Sequence, residues 1–166
     1  MQTQSSTREI PLSQGLVALV DEADFDMVSR FNWAARRSGR TFYATTARHC
    51  RRPSGLIYMH RMLLLPAPDE EVDHVNGDGL DNRRCNLRLC THAENGRNQR
   101  RPTNNTSGVK GVSWNSGRGR WEANIKTGGV SHFLGYFDSI DAAARAYDAA
   151  ALAEHGEFAR LHGGTT

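Results

Sequence analysis

The feature that most restricts this chain is a turn-dense segment from Val72 to Gln99, VDHVNGDGLDNRRCNLRLCTHAENGRNQ. Asn76-Gly77 and Asp78-Gly79 are strong turn signals, because Asn, Asp and Gly tolerate a positive φ. A strand ending at Asp73-His74 is predicted to reverse there, and a second short strand follows around Leu87 to Cys90. Thr91 with Glu94 three residues on is a capping-box pattern, which starts a helix. That helix carries Asn95 in its first turns, where it can face back toward the strand end bearing His74.

Four side chains in this segment have a fixed spacing. Asp73 and His74 are adjacent, Asn86 lies twelve residues after His74, and Asn95 nine residues further on. In this pattern the segment resembles the HNH endonuclease motif, a ββα-metal finger. The resemblance implies that His74 is the general base and that Asn86 holds the finger together and orients the imidazole. It also implies that Asp73 and Asn95 bind one divalent ion at the scissile phosphate. The third motif position is Asn95 rather than His, a variant found in homing-type members, and His92 lies one turn earlier on the same helix. The residue types suit the chemistry. A neutral imidazole accepts a proton from water near neutral pH. A hard cation on carboxylate and amide oxygens neutralises charge developing on the phosphate. Such ligands, without thiolates, suit Mg2+ or Mn2+ better than structural zinc. The competing structural reading is a turn-rich hairpin whose Asn residues only cap turns; the complete set followed by a capped helix weighs against it.

The chain has 166 residues, enough for one ordinary domain or two small ones, and its 38% hydrophobic content suits compact cores. No apolar run approaches the ~20 residues of a membrane span, and Leu63-Leu64-Leu65 before Pro66 reads as the end of a buried helix. Met1 to Thr7 is polar and uncharged, unlike a signal peptide, and residues 1–8 are expected to be a disordered tail. Cys50, Cys85 and Cys90 form no C-x-x-C pair, which points to a reducing compartment. The cytoplasm of a bacterial or phage-infected cell is the expected location.

A net charge of +3 conceals segregation. Arg36, Arg37, Arg40, Arg48, Arg51 and Arg52 fall in one acid-free stretch. Lys110, Arg118, Arg120 and Lys126 face Glu122 alone, whereas 138–157 is mostly acidic. One basic and one acidic face suit an oriented contact with a polyanion.

Before the finger, Glu9 to Val20 reads as two short strands joined near Gln14-Gly15, and Asp21 to Trp33 as a short helix. A strand from Trp33, a Ser38-Gly39 turn, and strands over Thr41–His49 and Leu56–His60 follow, then a helix to Leu65. This stretch is similar to the amino-terminal part of phage and bacterial HNH proteins, in its IPL…G…ALVD opening and its YMHR segment. The Arg-flanked hairpin either lies against DNA or merely supports the finger, and His60 either approaches the active site or packs within the fold.

Residues 100–106 read as a linker, with Arg97, Arg100 and Arg101 placed to meet phosphates. Beyond it, strands are predicted over Val109–Asn115, Trp121–Thr127 and Ser131–Gly135, split by turns at Ser116-Gly117 and Gly128-Gly129. A helix over Ala142–His155 follows, capped by Asp138 or Ser139 and stopped by Gly156. SGVKGVSW, GRW, FLGYFDS and AARAYDAAALAEHGEFA resemble the ethylene-response-factor (AP-two type) DNA-binding domain, a three-stranded sheet backed by one helix. The resemblance implies that the sheet enters the major groove, with Lys110, Ser113, Trp114, Arg118, Arg120, Trp121, Asn124, Lys126 and His132 as candidate contacts. Ser113 and Asn124 stand where many plant members carry Arg and Glu, so their target sequence does not transfer.

The expected fold is α+β: a β-rich region with an HNH finger over 1–99 (finger about 72–99), the linker, and a three-stranded antiparallel sheet on one helix over 107–166. The expected function is a metal-dependent endonuclease, nicking or cutting double-stranded DNA, using one Mg2+ or Mn2+. It would act as a monomer without a protein partner. The alternative from another class is a non-catalytic DNA-binding regulator with an idle finger. RNA binding would need a run of exposed stacking aromatics, which the sheet's sequence does not suggest.

Overall fold

The structure, a computed structural model, describes residues 6–47, 55–98, 105–159 and 161–162, with residues 97, 98 and 157 as backbone only. The chain divides into two units, Met1–Asn95 and Gly96–Thr166, each with its own core. Both mix helices with antiparallel sheets.

In the first unit β1 (Thr7–Pro11) and β2 (Val17–Asp21) form a hairpin that buries Ile10, Ala18 and Val20. Its reversal passes through Gln14 and Gly15, both at positive φ (67° and 71°). Thr7 and Arg8, expected within a disordered tail, are strand residues. Arg8 reaches Glu22 at 2.8 Å and lies 4.0 Å over the Phe25 ring, so its stem and charge both find partners. Residues 1–5 of that expected tail lie outside the described residues.

Helix α1 (Glu22–Val28) opens on Glu22 and Asp24, where the helix dipole favours acids. It stops well short of the expected Trp33. The Val28 carbonyl accepts from the Trp33 indole Nε1 at 2.8 Å and from the Phe31 amide at 3.2 Å. Folding Trp33 under the helix end therefore replaces another turn.

Strands β3 (Ala34–Ser38), β4 (Thr41–Ala47) and β5 (Leu56–Tyr58) make an antiparallel sheet in that order. Arg36, Arg37 and Arg40 are exposed there, while Arg48, Arg51 and Arg52 lie outside the described residues. Helix α2 (Met59–Leu64) buries Met59, His60 and Leu63. Leu65 corrects the expected buried end of this helix: it takes a left-handed conformation (φ 48°, ψ 56°) and is 79% exposed.

Strand β6 (Glu71–His74) then pairs antiparallel with β7 (Leu87–Cys90), with Asp73 opposite Arg88 and His74 opposite Leu87. Helix α3 (His92–Asn98) begins with the expected capping box. The Glu94 carboxylate accepts from the Thr91 amide at 2.8 Å, and Thr91 Oγ1 accepts from the Glu94 amide at 3.3 Å.

The connection between β6 and β7 rests on β2. Leu19 donates its amide to Leu80 O at 2.8 Å and accepts from the Asn82 amide at 2.8 Å. Asp21 and Asp24 hold the same connection from below: Asp21 accepts from the Arg84 amide at 2.7 Å, and Asp24 takes the Arg84 guanidinium fork at 2.8 Å on both oxygens.

In the second unit β8 (Val112–Asn115), β9 (Arg120–Thr127) and β10 (Val130–Phe137) form an antiparallel meander with β9 central. Helix α4 (Ile140–His155) presses Ala143, Ala144, Tyr147 and Ala151 onto Val112, Ala123 and Ile125. Ser139 is its cap, accepting from the Ala142 amide at 3.2 Å. Strand β8 starts later than the expected Val109. Gly111 takes a positive φ (71°) against the Tyr147 ring and the Asn124 carbonyl, and Ser107 Oγ accepts from the Val109 amide at 3.1 Å. These contacts hold 107–111 as turns. Among the described residues no helix is long and apolar enough to cross a membrane.

Candidate functional site

His74 ends β6 and is 5% exposed. Its ring sits among three others: His60 edge-on at 5.0 Å, Tyr43 at 5.7 Å, and Tyr58 behind His60 at 5.4 Å from it, all centroid to centroid. This packing desolvates the imidazole, and burial pushes its pKa below the ordinary value. A hydrogen bond to Asn82 and the carboxylates of Asp73, Asp78 and Asp81 oppose that push. The net result is a neutral imidazole at neutral pH, the form that accepts a proton.

Asn82 Oδ1 lies 3.3 Å from His74 Nε2. Asn86, the residue expected to orient the imidazole, grips the loop. Its Oδ1 accepts from the Asn76 amide at 3.0 Å, its Nδ2 donates to Asp81 O at 2.7 Å, and its backbone carbonyl takes the Val75 amide at 2.9 Å. Asp81 in turn is forked by Arg83 at 2.7 Å on both oxygens and accepts from Asn76 at 3.0 Å.

Asp73 is buried beside His74 and faces Arg88 across the hairpin, whose Nε and Nη2 donate to its Oδ2 at 2.9 and 2.6 Å. Asn95 and His92, from α3, both meet Glu71. The Asn95 Nδ2 donates to Glu71 Oε2, and His92 Nδ1 lies 2.7 Å from Glu71 Oε1. Those two hydrogen bonds, Asn95's first, hold the Glu71 carboxyl below its usual range. Asn95 uses its amide nitrogen on Glu71, so its oxygen is not engaged by that bond. Among the described residues no group of three or more His, Cys, Asp or Glu side chains is arranged around a metal position. Carboxylate and amide oxygens are the donor types a hard cation takes, with its remaining ligands from water and phosphate.

Sequence reasoning missed Asn82, Tyr43, Glu71 and Arg88. Cross-strand register relates Arg88 to Asp73. Nothing local separates a buried Asn82 from an ordinary turn asparagine.

On the second unit, strand alternation sorts the candidates. Ala123 and Ile125 point into the core, so Arg120, Glu122, Asn124 and Lys126 lie on the outer face of β9. Ser113 stands opposite Glu122 on that face. Trp121 has the opposite parity and packs on the core cluster, with Trp114, 52% exposed, at 5.2 Å. His132 is exposed but opposite Ile125, and Lys110 is half-buried before β8 begins. Asn124 donates to Glu122 at 2.8 Å, as does Asn115 at 2.9 Å. Arg118 lies 4.8 Å over the Tyr136 ring, and Arg120 pairs with Asp138 at 2.7 Å. Phe133, 55% exposed and opposite Asn124, adds an aromatic that sequence reading left out. Trp114 shares the parity of Trp121 and Phe133 that of Asn124, so the two exposed aromatics stand on opposite faces of the sheet. The Arg97 side chain, Arg100 and Arg101 lie outside the described residues.

Residues 65–97, which hold Asp73, His74, Asn86 and Asn95, match the HNH endonuclease family model, and residues 107–157 match the AP2 domain model. The chain belongs to the HNH endonuclease family and carries an AP2 domain, a pairing of nuclease and DNA-binding folds. Among its relatives is Protein 3.8 of Escherichia phage T7, 32% identical over 127 residues, which cover 76% of this chain and 98% of that protein. An uncharacterised HNH endonuclease of Acanthamoeba polyphaga mimivirus is 28% identical over 153 residues, 88% of this chain and 74% of its own length. An AP2-like ethylene-responsive transcription factor of Arabidopsis thaliana is 43% identical over 56 residues, 34% of this chain and 12% of that factor. No solved structure matches.

Proposed function

We propose that the protein is a site-directed DNA endonuclease of the homing type, in which β6, β7 and α3 act as a ββα-metal finger. The observation that carries the reading is His74: a buried imidazole held neutral at a strand end, with a carboxylate next to it and a rigid loop behind it. His74 takes a proton from the attacking water. Asn86 keeps the loop closed around the base by holding Asn76 and Asp81. Asp73 and Asn95 would hold one Mg2+ or Mn2+, which when bound neutralises charge building on the phosphate. Arg88 keeps the Asp73 carboxylate in place against β7.

Residues 1–99 form the nuclease part, 100–106 the linker and 107–166 the targeting part. The outer face of β8, β9 and β10 meets duplex DNA through Ser113, Arg118, Arg120, Asn124 and Lys126, with Phe133 packing on sugar. Arg97, Arg100 and Arg101 add phosphate contacts. Charge supports this orientation, since α4 with Asp141, Asp148 and Glu154 backs the other side of the sheet. The protein works as a monomer in the cytoplasm of the cell whose DNA it cuts.

The test is cleavage of random-sequence and host DNA with Mg2+, with the ends mapped. His74→Ala should lower cleavage by orders of magnitude while duplex binding persists. Cleavage at the ordinary rate by that variant would defeat the assignment. A wild-type protein that binds duplex DNA but cuts none under any divalent ion would be a regulator instead.

A further inference from the structure

A neutral imidazole has one N–H and one lone pair, and which nitrogen carries which decides how it can act as a base. In this protein the choice is set by a side chain that lies outside the four motif residues. Asn82 is completely buried, and three contacts hold it. Its backbone amide donates to Leu19 O at 2.8 Å, its Nδ2 donates to Leu80 O at 3.1 Å, and its Oδ1 faces His74 Nε2 at 3.3 Å.

The amide orientation follows from those neighbours. Leu80 O can only accept. Turning the amide over would set two carbonyl oxygens against each other at about hydrogen-bond distance, at a fully buried side chain. With Nδ2 committed to Leu80 O, the atom presented to His74 is an acceptor. Nε2 must then be the N–H, and the lone pair belongs to Nδ1.

We propose that Asn82 is the positioning residue of the catalytic base: its amide oxygen holds His74 as the Nε2–H tautomer, so that Nδ1 is the nitrogen that receives the proton of water. The proposal rests on His74 being the base. Asn82 acts through His74 and touches neither substrate nor ion. Its own position comes from β2, through Leu19, so the tautomer is written by a strand far away in sequence.

The experiment is a long-range 15N–1H correlation spectrum of the full-length, metal-free wild-type protein near pH 7.5, with the His74 signals assigned by their loss in His74→Ala. Nε2 should have the shift of a protonated ring nitrogen and Nδ1 that of a bare one. The Nδ1–H form, or an even mixture of the two, would overturn the proposal. Asn82→Leu should lose the single-tautomer signature and lower kcat on the order of 10- to 100-fold, the range found for groups that orient metal-bound imidazoles. DNA binding by that variant should stay within about twofold. Asn82→Asp keeps an acceptor toward His74 but sets its second oxygen against Leu80 O, so it should keep the Nε2–H form while losing stability. If Asn82→Leu fails to fold, the wild-type spectrum still decides the matter. Cleavage surviving in His74→Ala would instead defeat the assignment of His74 as the base, and it leaves the tautomer result standing by itself.

Discussion

His60 offers a direct measurement of what burial does in this unit. Its ring packs between Tyr43, Tyr58 and His74 with centroids 5.0–5.4 Å away, and it is 8% exposed. Its Nδ1 is buried without a hydrogen-bond partner among the described residues. Burial in the first place, then His74 and Arg61, push its pKa down to about 3. The ordinary value, near 6.5, holds in the unfolded chain. Between those two values the unfolded state binds the proton and the folded state does not, so stability falls as the pH falls through that window. Going from pH 7 to pH 5 should cost about 2 kcal/mol from this residue alone. His74, shifted in the same direction, adds to the loss. His60→Phe removes both the titrating group and the unpartnered nitrogen, so it should match wild type at pH 7 and lose about 2 kcal/mol less by pH 5. The assay is urea unfolding of the full chain at both pH values, followed by the methyl resonance of Met59, which is fully buried in the same core. Parallel losses in the two proteins would refute the reasoning, because His60 would then be hydrated or partnered in solution.

Other perturbations test neighbouring parts of the argument. Gly79→Ala sets a Cβ 2.5 Å from Phe42 O and 2.6 Å from the Tyr43 ring, so it should cost roughly 1–3 kcal/mol in unfolding experiments and depress cleavage through Tyr43. Gly111→Ala meets the Tyr147 ring and Asn124 O at a positive φ (71°); it should destabilise the second unit and weaken DNA binding while leaving the His74 resonances unmoved. Arg118→Ala should weaken duplex binding by roughly 1–3 kcal/mol and relax one position if it reads a base, or flatten the salt slope if it meets phosphate, whereas replacing the exposed Arg145 of α4 with Ala should do neither. Chelation should stop cleavage and Mg2+ restore it, with the urea midpoint unchanged; unfolding on chelation would mean a structural ion.

The parts legible in the sequence are those whose cause is local. The capping box at Thr91 and Glu94, the turn through Asn76 to Gly79, the strand pair ending at His74 and starting at Leu87, and the Ser139 cap each depend on residues a few positions apart. Elements shaped by distant contacts were mispredicted. Helix α1 stops at Val28 because Trp33 claims its last carbonyl, and β8 starts at Val112 because Tyr147 closes on Gly111. Thr7 and Arg8 are ordered by Asp21 and Glu22, which a composition-based reading of the terminus does not see. The site divides the same way. Asp73, His74, Asn86 and Asn95 were readable as a spaced set, while Asn82, Glu71 and Arg88 acquire their importance only when the hairpin register and the β2 contact bring them together.

Leu19 is one residue, and its two backbone bonds to Leu80 and Asn82 limit how this nuclease can be exchanged between genes. A recombination event that moved residues 72–98 alone would deliver the motif letters without the strand that shapes the loop behind His74. Such a graft would keep its family signature and lose its geometry. The heritable module therefore begins at least as far back as β1 and β2, and protein engineers borrowing this cutter for a new targeting domain should join it after α3 and leave everything before it intact.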